Sequence, residues 1–180
     1  MKLLLLSGSF HSQSKSIAIL NSLKGYFSEH EYVFPKLDNL PFYCEDLAKN
    51  QPESIQQLIS DVELADGIVV CTPEYNHSIP AVLKNAIDWV SRPAFNSVLK
   101  SKPVTIITQA NSPVGGARAQ AHTKLVFDST LSKIHPTHEM MITGINSVIN
   151  AELQIEDTKV EGRLKRHIAN FVEFIEAQQP

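Results

Sequence analysis

Residues 67–90 read GIVVCTPEYNHSIPAVLKNAIDWV, and they decide the fold of this 180-residue chain. Residues 67–72 form a short apolar run rich in β-branched side chains, which is typical of a buried strand. Residues 73–76 interrupt that run, and Ser78-Ile79-Pro80 predicts a helix N-cap followed by proline in a first helical turn. An open α/β sheet places its ligand site where strands turn into helices, outside the carboxyl ends of the strands.

The same alternation of strands and helices continues along the chain. We predict strands at residues 2–7, 31–34, 67–72, 103–108 and about 138–143. We predict helices at residues 14–28, 52–65, 79–91, 116–131 and 160–177. This order predicts an α/β fold with a flavodoxin-like, doubly wound, five-stranded parallel sheet in the order 2-1-3-4-5 and helices on both faces. No linker or repeat divides the sequence, so we expect residues 1–180 to form one domain.

The composition excludes several classes of partner. A net charge of −3 offers no basic face for nucleic acid. The apolar opening at residues 3–6 is too short to span a membrane. Cys44 and Cys71 have no metal-binding or redox spacing, which favours reduced thiols in a cytoplasmic protein.

The segment SGSFHSQSKS at residues 7–16 is a candidate anion site. It contains five serines, one histidine and one lysine, and no Asp or Glu occurs among residues 1–28. Hydroxyl donors at the positive end of a helix suit an anion. No triphosphate loop or dinucleotide fingerprint is present, so one terminal phosphate fits best. A serine-rich capping loop without a ligand is the alternative. The candidate binding residues are Ser9, His11, Ser14, Lys15 and Ser16.

Four motifs resemble those of the NADPH-dependent FMN reductase family, whose members include quinone, azo-dye and chromate reductases. The most specific is TPEYN-x-S-I-P-x-x-L-K-N-A-I-D-W at residues 72–89. Residues 8–16 match G-S-x-R-x-x-S-x-N, except that His11 and Ser16 replace the arginine and asparagine. Residues 40–47 match L-P-x-Y-x-x-D-L, and residues 115–120 match GG-x-R-x-Q. The resemblance is strong over residues 2–120.

The resemblance implies FMN as cofactor, NADPH or NADH as co-substrate, and a small electron acceptor such as a quinone, free flavin, azo compound or metal oxyanion. It also implies a homodimer or tetramer. Flavin-contacting residues carried over from the family are Pro73, Glu74, Tyr75 and Asn76, with Asn111 and Ser112 from the segment 110–112, in which the contacting residue stays open. Because the flavin supplies the chemistry, we predict no catalytic side chain and no metal ligand.

Two functions of other classes remain as alternatives. A flavodoxin-type electron carrier would bind FMN without oxidising NAD(P)H itself, but such carriers usually have a T-x-T-G-x-T loop and strong acidity, which this chain lacks. A flavin-free serine hydrolase would need a G-x-S-x-G elbow, which is absent.

Several single residues have two interpretations. His135-x-x-His138 has possible metal spacing, but a pair of ordinary histidines is favoured. His77 is either near substrate or on the surface. Trp89 is either a core residue or part of a subunit contact. Arg118 is a salt-bridge partner, between helices or subunits, or a ligand contact.

Overall fold

The computed structural model describes residues 1–178 as one sheet flanked by helices. The strands are β1 (Lys2–Ser7), β2 (Glu31–Val33), β3 (Gly67–Pro73), β4 (Pro103–Gln109), β5 (Lys133–Ile134) and β6 (Met140–Ile142). The helices are α1 (Lys15–Tyr26), α2 (Glu45–Ala48), α3 (Glu53–Leu64), α4 (Ala81–Val90), α5 (Ala117–Ser129), α6 (Ile145–Val148) and α7 (Thr158–Glu176). No helix in this described part is long and apolar enough to cross a membrane.

The sheet is parallel, and its order confirms the predicted 2-1-3-4-5 arrangement. Its fifth position is divided between two short strands that both pair with β4. β5 pairs with the start of β4, where Lys133 lies opposite Pro103, and β6 pairs with its end, where Ile142 lies opposite Gln109. The predicted strand at 138–143 is therefore shortened to β6. A two-residue strand such as β5 has no periodicity to reveal it.

Each face of the sheet packs on its own set of helices. Residues of α1 and α7 cover one face together with Leu3, Leu5 and Val69. Residues of α3, α4 and α5 cover the other face together with Leu4, Leu6 and Ile68. Alternation of β1 residues between the two clusters follows from the two-residue period of a strand. Because both faces are covered, the strands are apolar throughout, as the sequence predicted.

Most long elements lie where the sequence predicted them, but the start of α4 does not. Its N-cap is Pro80, so the prediction that Ser78 caps this helix is wrong. A residue before proline is kept out of the helical region, so Ile79 cannot join the helix and α4 begins only at Ala81. Ser78 Oγ instead lies 3.0 Å from His122 Nδ1 of α5. The four-residue helices α2 and α6 were not predicted, because one turn is too short for a hydrophobic period.

Trp89 is a core residue of α4 that holds the loop after β2 by a hydrogen bond. Its side chain is fully buried, and its Nε1 donates to the Pro41 carbonyl at 2.8 Å. Asn85, one turn earlier, donates to the same carbonyl at 2.9 Å and accepts from the Tyr43 N–H at 2.8 Å. The Tyr43 ring packs edge-on against the indole. The subunit-contact interpretation of Trp89 is therefore wrong, because α4 turns this residue toward the loop.

Two histidines share one threonine hydroxyl beneath the sheet. Thr105 Oγ1 lies 2.7 Å from His167 Nε2 and 3.2 Å from His135 Nδ1. All three residues are buried. Burial, followed by repulsion from His135 and Arg163, lowers the pKa of His167 to about 4. Burial also lowers the pKa of His135. The Thr105 hydroxyl can donate its one proton to one ring nitrogen and accept a hydrogen bond from the other. Two neutral rings, one acting as donor and the other as acceptor, therefore satisfy this cluster.

The free energy of unfolding should therefore fall in acid because of His167. The unfolded chain protonates this side chain near pH 6.5, whereas the folded chain does so only near pH 4. The stabilisation is complete above about pH 6.5 and declines as pH falls toward 4, by about 3 kcal/mol. Urea unfolding at pH 4.5–7 should show a clearly shallower pH slope for His167→Gln than for the parent. The exposed His138→Gln is the control, and an equal slope in all three proteins would contradict the assignment.

Candidate functional site

Three loops meet at the carboxyl edge of the sheet because the strands that precede them are neighbours. The first loop (residues 8–14) follows β1, the second (74–80) follows β3 and the third (110–116) follows β4. The register places Ser7 opposite Cys71 and Cys71 opposite Ile107, so the three strands end close together. This is the position where an open α/β sheet binds ligands.

The first loop leaves β1 in close contact with β3. The Gly8 N–H donates to the Cys71 carbonyl at 2.9 Å. A Cβ on Gly8 would lie 2.0 Å from Thr72 Oγ1, so only glycine fits between the two strands. The chain can then turn directly beside the end of β3.

Polar groups of the first loop organise the start of α1. Ser14 is the N-cap, and its Oγ accepts from the Ile17 N–H at 3.3 Å. The exposed His11 accepts through Nδ1 from the Gln13 N–H at 3.0 Å, and its carbonyl accepts from the Ser14 N–H at 2.9 Å. Ser9 Oγ lies 3.5 Å from the His11 N–H. The first turn contains no acidic residue, so the amides and hydroxyls here form an uncompensated positive end.

Two predicted phosphate residues have side chains that are engaged elsewhere. Lys15 Nζ donates to the carbonyls of Ile149 and Asn150 at 3.3 and 3.2 Å. Ser16 is fully buried, and its Oγ accepts from Gln109 Nε2 at 3.2 Å. Burial raises the pKa of the neighbouring Cys71 thiol to about 12, although a hydrogen bond with Ser16 opposes this. The structure therefore does not bring these two side chains together with Ser9 and His11. Ser16 attaches α1 to the end of β4, and Lys15 attaches it to the segment after α6.

The second loop is a rigid two-residue hairpin. The N–H groups and carbonyls of Tyr75 and Ser78 bond to each other at 2.9 Å in both directions. Asn76 and His77 between them have φ values of 48° and 65°, which is the pattern of a type I′ turn. Tyr75 is 52 % exposed, and Asn76 and His77 are also exposed. This turn presents Tyr75, Asn76 and backbone groups at the carboxyl edge.

Glu74 uses its carboxylate to cap the N-terminus of α5. Its carboxylate accepts from the N–H groups of Arg118 and Ala119 at 3.0 and 3.3 Å, and from Arg118 Nη1 at 3.4 Å. Desolvation by burial opposes the charge, but these hydrogen bonds outweigh it and hold the pKa of Glu74 below its usual range. The helix needs this contact because its own N-cap is Gly116, which has no side chain. Arg118 is thus a salt-bridge partner, but the bridge joins α5 to the second loop rather than to another helix.

The third loop exposes two of its three candidate residues. Ala110 uses its backbone internally: its N–H donates to the Ile142 carbonyl at 3.0 Å, and its carbonyl accepts from Ile145 at 3.3 Å. Asn111 and Ser112 are exposed. Gly115 and Gly116 adopt left-handed conformations, with φ of 59° and 80°, that return the chain to α5. Asn111 and Ser112 therefore remain the candidates.

No cluster of three or more metal-ligating side chains occurs among residues 1–178. His135 belongs to the buried pair with His167, whereas His138 is exposed. Two features of the site were not predicted from the sequence: the role of Glu74 at α5, and the exposure of Phe10 in the first loop, whose side chain is 64 % exposed. The absence of a capping side chain before α5 was the one signal for the role of Glu74. No sequence pattern indicated the exposure of Phe10.

This geometry suits a flat ligand that carries a phosphate. The first loop offers hydroxyls and helix amides to an anion, while the second and third loops offer rigid backbone and amide groups to a planar, polar-edged ring. Residues 1–146 match the profile of the family described as NADPH-dependent FMN reductase.

Individual relatives agree with that match. A 2-hydroxy-1,4-benzoquinone reductase from Burkholderia sp. is 34 % identical over 162 residues, which cover 88 % of each chain. An NAD(P)H-dependent FMN reductase from Pseudomonas aeruginosa is 32 % identical over 174 residues, 93 % of this chain and 91 % of that one. The solved structure of FerB, a flavoenzyme NAD(P)H:(acceptor) oxidoreductase from Paracoccus denitrificans, superposes with a TM-score of 0.89 at 29 % identity, covering 98 % and 97 % of the two chains. This chain therefore belongs to the NADPH-dependent FMN reductase family.

Proposed function

We propose that the three loops hold FMN, and that this protein oxidises NADPH or NADH and reduces a small acceptor at that one place. Membership of the family makes it an FMN-dependent oxidoreductase with NAD(P)H as co-substrate. The observation that supports the location is the convergence of the loops after β1, β3 and β4 at one edge.

The phosphate belongs at the first loop. Ser9, His11 and Ser14 supply side-chain donors there, and the first-turn amides of α1 supply backbone donors. Lys15 and Ser16 act indirectly in this proposal, since their side chains attach the start of α1 to residues 149–150 and to Gln109. The fit is good because no carboxylate in the first turn competes with the anion.

The ring belongs between the second and third loops. Backbone groups at Pro73, Glu74 and Tyr75, and the side chains of Asn76, Asn111 and Ser112, line that position in our proposal. The Glu74 carboxylate contributes by fixing α5 and the third loop rather than by contacting the ring. The type I′ turn keeps Tyr75 and Asn76 in place without a ligand, so little conformational entropy is lost on binding.

The chemistry needs little from the protein's side chains. Bound FMN supplies hydride acceptance from the nicotinamide and hydride delivery to a quinone, free flavin, azo compound or metal oxyanion. The chain binds, orients and shields the flavin and its substrates, and we assign it no catalytic acid or base. With two free thiols at Cys44 and Cys71, we also propose a cytoplasmic location.

FMN titration into the apoprotein should saturate at one FMN per chain, with FMN preferred to FAD, and NADPH or NADH should then bleach the flavin anaerobically before any acceptor is added. Steady-state rates with a quinone should give parallel double-reciprocal lines, because both substrates use one site in turn. The measurements are flavin absorbance and stopped-flow kinetics. Flavin that is reduced by light but ignores both nicotinamides would favour the flavodoxin-type carrier instead.

Replacing His11 by arginine should tighten FMN binding. A guanidinium carries a permanent charge and can contact a phosphate through two donors at once, whereas an imidazole presents one donor in a given direction. We expect His11→Arg to lower the Kd for FMN about tenfold. Quenching of flavin fluorescence measures the Kd of each protein. His138→Arg adds the same charge far from the loop, and an equal effect of the two variants would remove His11 from the phosphate site.

We also propose a homodimer, or a tetramer built from dimers, through the outer faces of α4 and α5. A groove of about 390 Å³ between these helices is lined by Ile79, Ala81, Leu125 and Val126. Leu125 is 67 % exposed and the nearby Phe95 is 74 % exposed. Apolar side chains of this size favour burial against a second surface. The groove adjoins Ser78 of the second loop, so a partner seated there would approach the proposed flavin.

Leu125→Glu should convert the parent assembly to monomers, since it places a charge in the proposed interface. Light scattering should give a parent mass of at least twice the 20.0 kDa chain. Leu64→Glu is the matched control, because Leu64 is 62 % exposed on α3, away from the groove. A monomeric parent, or a Leu125→Glu protein that keeps the parent mass, would contradict this interface.

A further inference from the structure

A second cleft of about 370 Å³ lies at the same edge, where β1 and β2 end. Its walls come from the first loop, from residues 34–38 after β2, from the first two turns of α1 and from the first turn of α4. Apolar side chains supply most of the lining, including the rings of Phe10 and Phe34. Asn21, Lys36 and Asp38 are exposed polar residues that also line it.

This cleft is distinct from the proposed flavin position but connected to it. Ser9 is the one lining residue that we also assign to FMN. The ring-binding loops follow β3 and β4, whereas the cleft lies between the ends of β2 and β1. Two strand positions separate these places, which is about 10 Å. Two riboses and a pyrophosphate join the two ring systems of a nicotinamide dinucleotide, and this linker, when open, is long enough for one molecule to reach both places.

We propose that this cleft binds the adenosine half of the nicotinamide co-substrate while the nicotinamide ring meets the flavin. The inference rests on the proposed function and names the part of the site that recognises NADPH and NADH. Adenine is flat and apolar on its faces, so it suits a slot with phenyl walls. Asn21 and Asp38 offer hydrogen-bond partners for the amino and ribose hydroxyl groups.

The charges at the cleft favour a phosphorylated ligand. Lys36 supplies an exposed ammonium at the cleft, and Lys24 places its Nζ 5.5 Å from the centre of the Phe34 ring. Among residues 1–178, Asp38 is the one carboxylate that lines it. The 2′-phosphate of NADPH adds negative charge that Lys36 can contact, so the contribution of Lys36 should be larger for NADPH than for NADH.

Two substitutions test this proposal, and each has a control variant. Asn21→Trp places a large ring in the cleft from the exposed surface of α1, whereas its control, Asn21→Ala, removes the same amide and leaves the cleft open. Lys36→Glu reverses one charge at the cleft. Its control, Lys100→Glu, makes the same change at an exposed position just before β4, at the opposite edge of the sheet.

The readouts are the KM for each nicotinamide on FMN-loaded protein, and calorimetric titration with adenosine 2′,5′-bisphosphate, which requires no turnover. We expect Asn21→Trp to raise both KM values at least tenfold and to abolish the calorimetric signal. Asn21→Ala, which loses one exposed hydrogen-bond partner and adds no bulk, should raise both KM values only about twofold to threefold and keep the calorimetric signal. Lys36→Glu should raise the KM for NADPH about tenfold and that for NADH about threefold, while Lys100→Glu changes neither. The Kd for FMN should stay unchanged in all four variants.

Each contrary result has a definite meaning. Parent-like KM values and bisphosphate binding in Asn21→Trp would overturn the proposal. A rise in the quinone KM alone would assign the cleft to the acceptor and would also overturn it. If the parent binds the bisphosphate in the cleft but neither nicotinamide reduces its flavin, the proposed function fails while the nucleotide site stands.

Discussion

The arrangement of the site depends on the close approach of Gly8 to Thr72. Ser7 lies opposite Cys71 in the parallel pair, and the Gly8 N–H extends that ladder by one more bond to the Cys71 carbonyl. A side chain at Gly8 would collide with Thr72, so the chain can turn here only without one. Because β1 ends directly beside β3, the start of α1 and the hairpin at residues 75–78 share one edge. Both proposed ligand positions, one on each side of the first loop, depend on that turn.

Electrostatics explain why the residues nearest this edge have divided roles. Glu74 is placed within a family motif, yet its carboxylate is used to cap α5, whose own N-cap is a glycine. An acid at the N-terminus of one helix leaves the neighbouring N-terminus of α1, which has no acid in its first turn, as the free positive end. A phosphate is therefore favoured at α1 rather than at α5.

The start of α1 is also the best supported of the three segments. Ser16 accepts from Gln109 at the end of β4, and Lys15 bonds to the carbonyls after α6. These contacts tie the start of α1 to the end of β4 and to the segment after α6 through buried or half-buried groups, so a shift of the first loop is opposed by both. Such support keeps binding groups in position before a ligand arrives, which lowers the entropy cost of binding.

The sequence alone was enough to predict the parallel sheet and its order, because long apolar strands and helices of ten or more residues carry clear periods and the motif at residues 72–89 is specific. It also located the three loops, since they follow strands whose ends are marked by Ser, Pro, Asn and Gly. Which side chains face the site depends on contacts between segments that are distant in the chain. Lys15, Ser16 and Glu74 bond to partners 44 to 135 residues away, and no local pattern encodes those contacts. The short strand β5, the burial of Trp89 and the cleft between the ends of β1 and β2 were likewise settled by packing, because each depends on which distant segments meet in space.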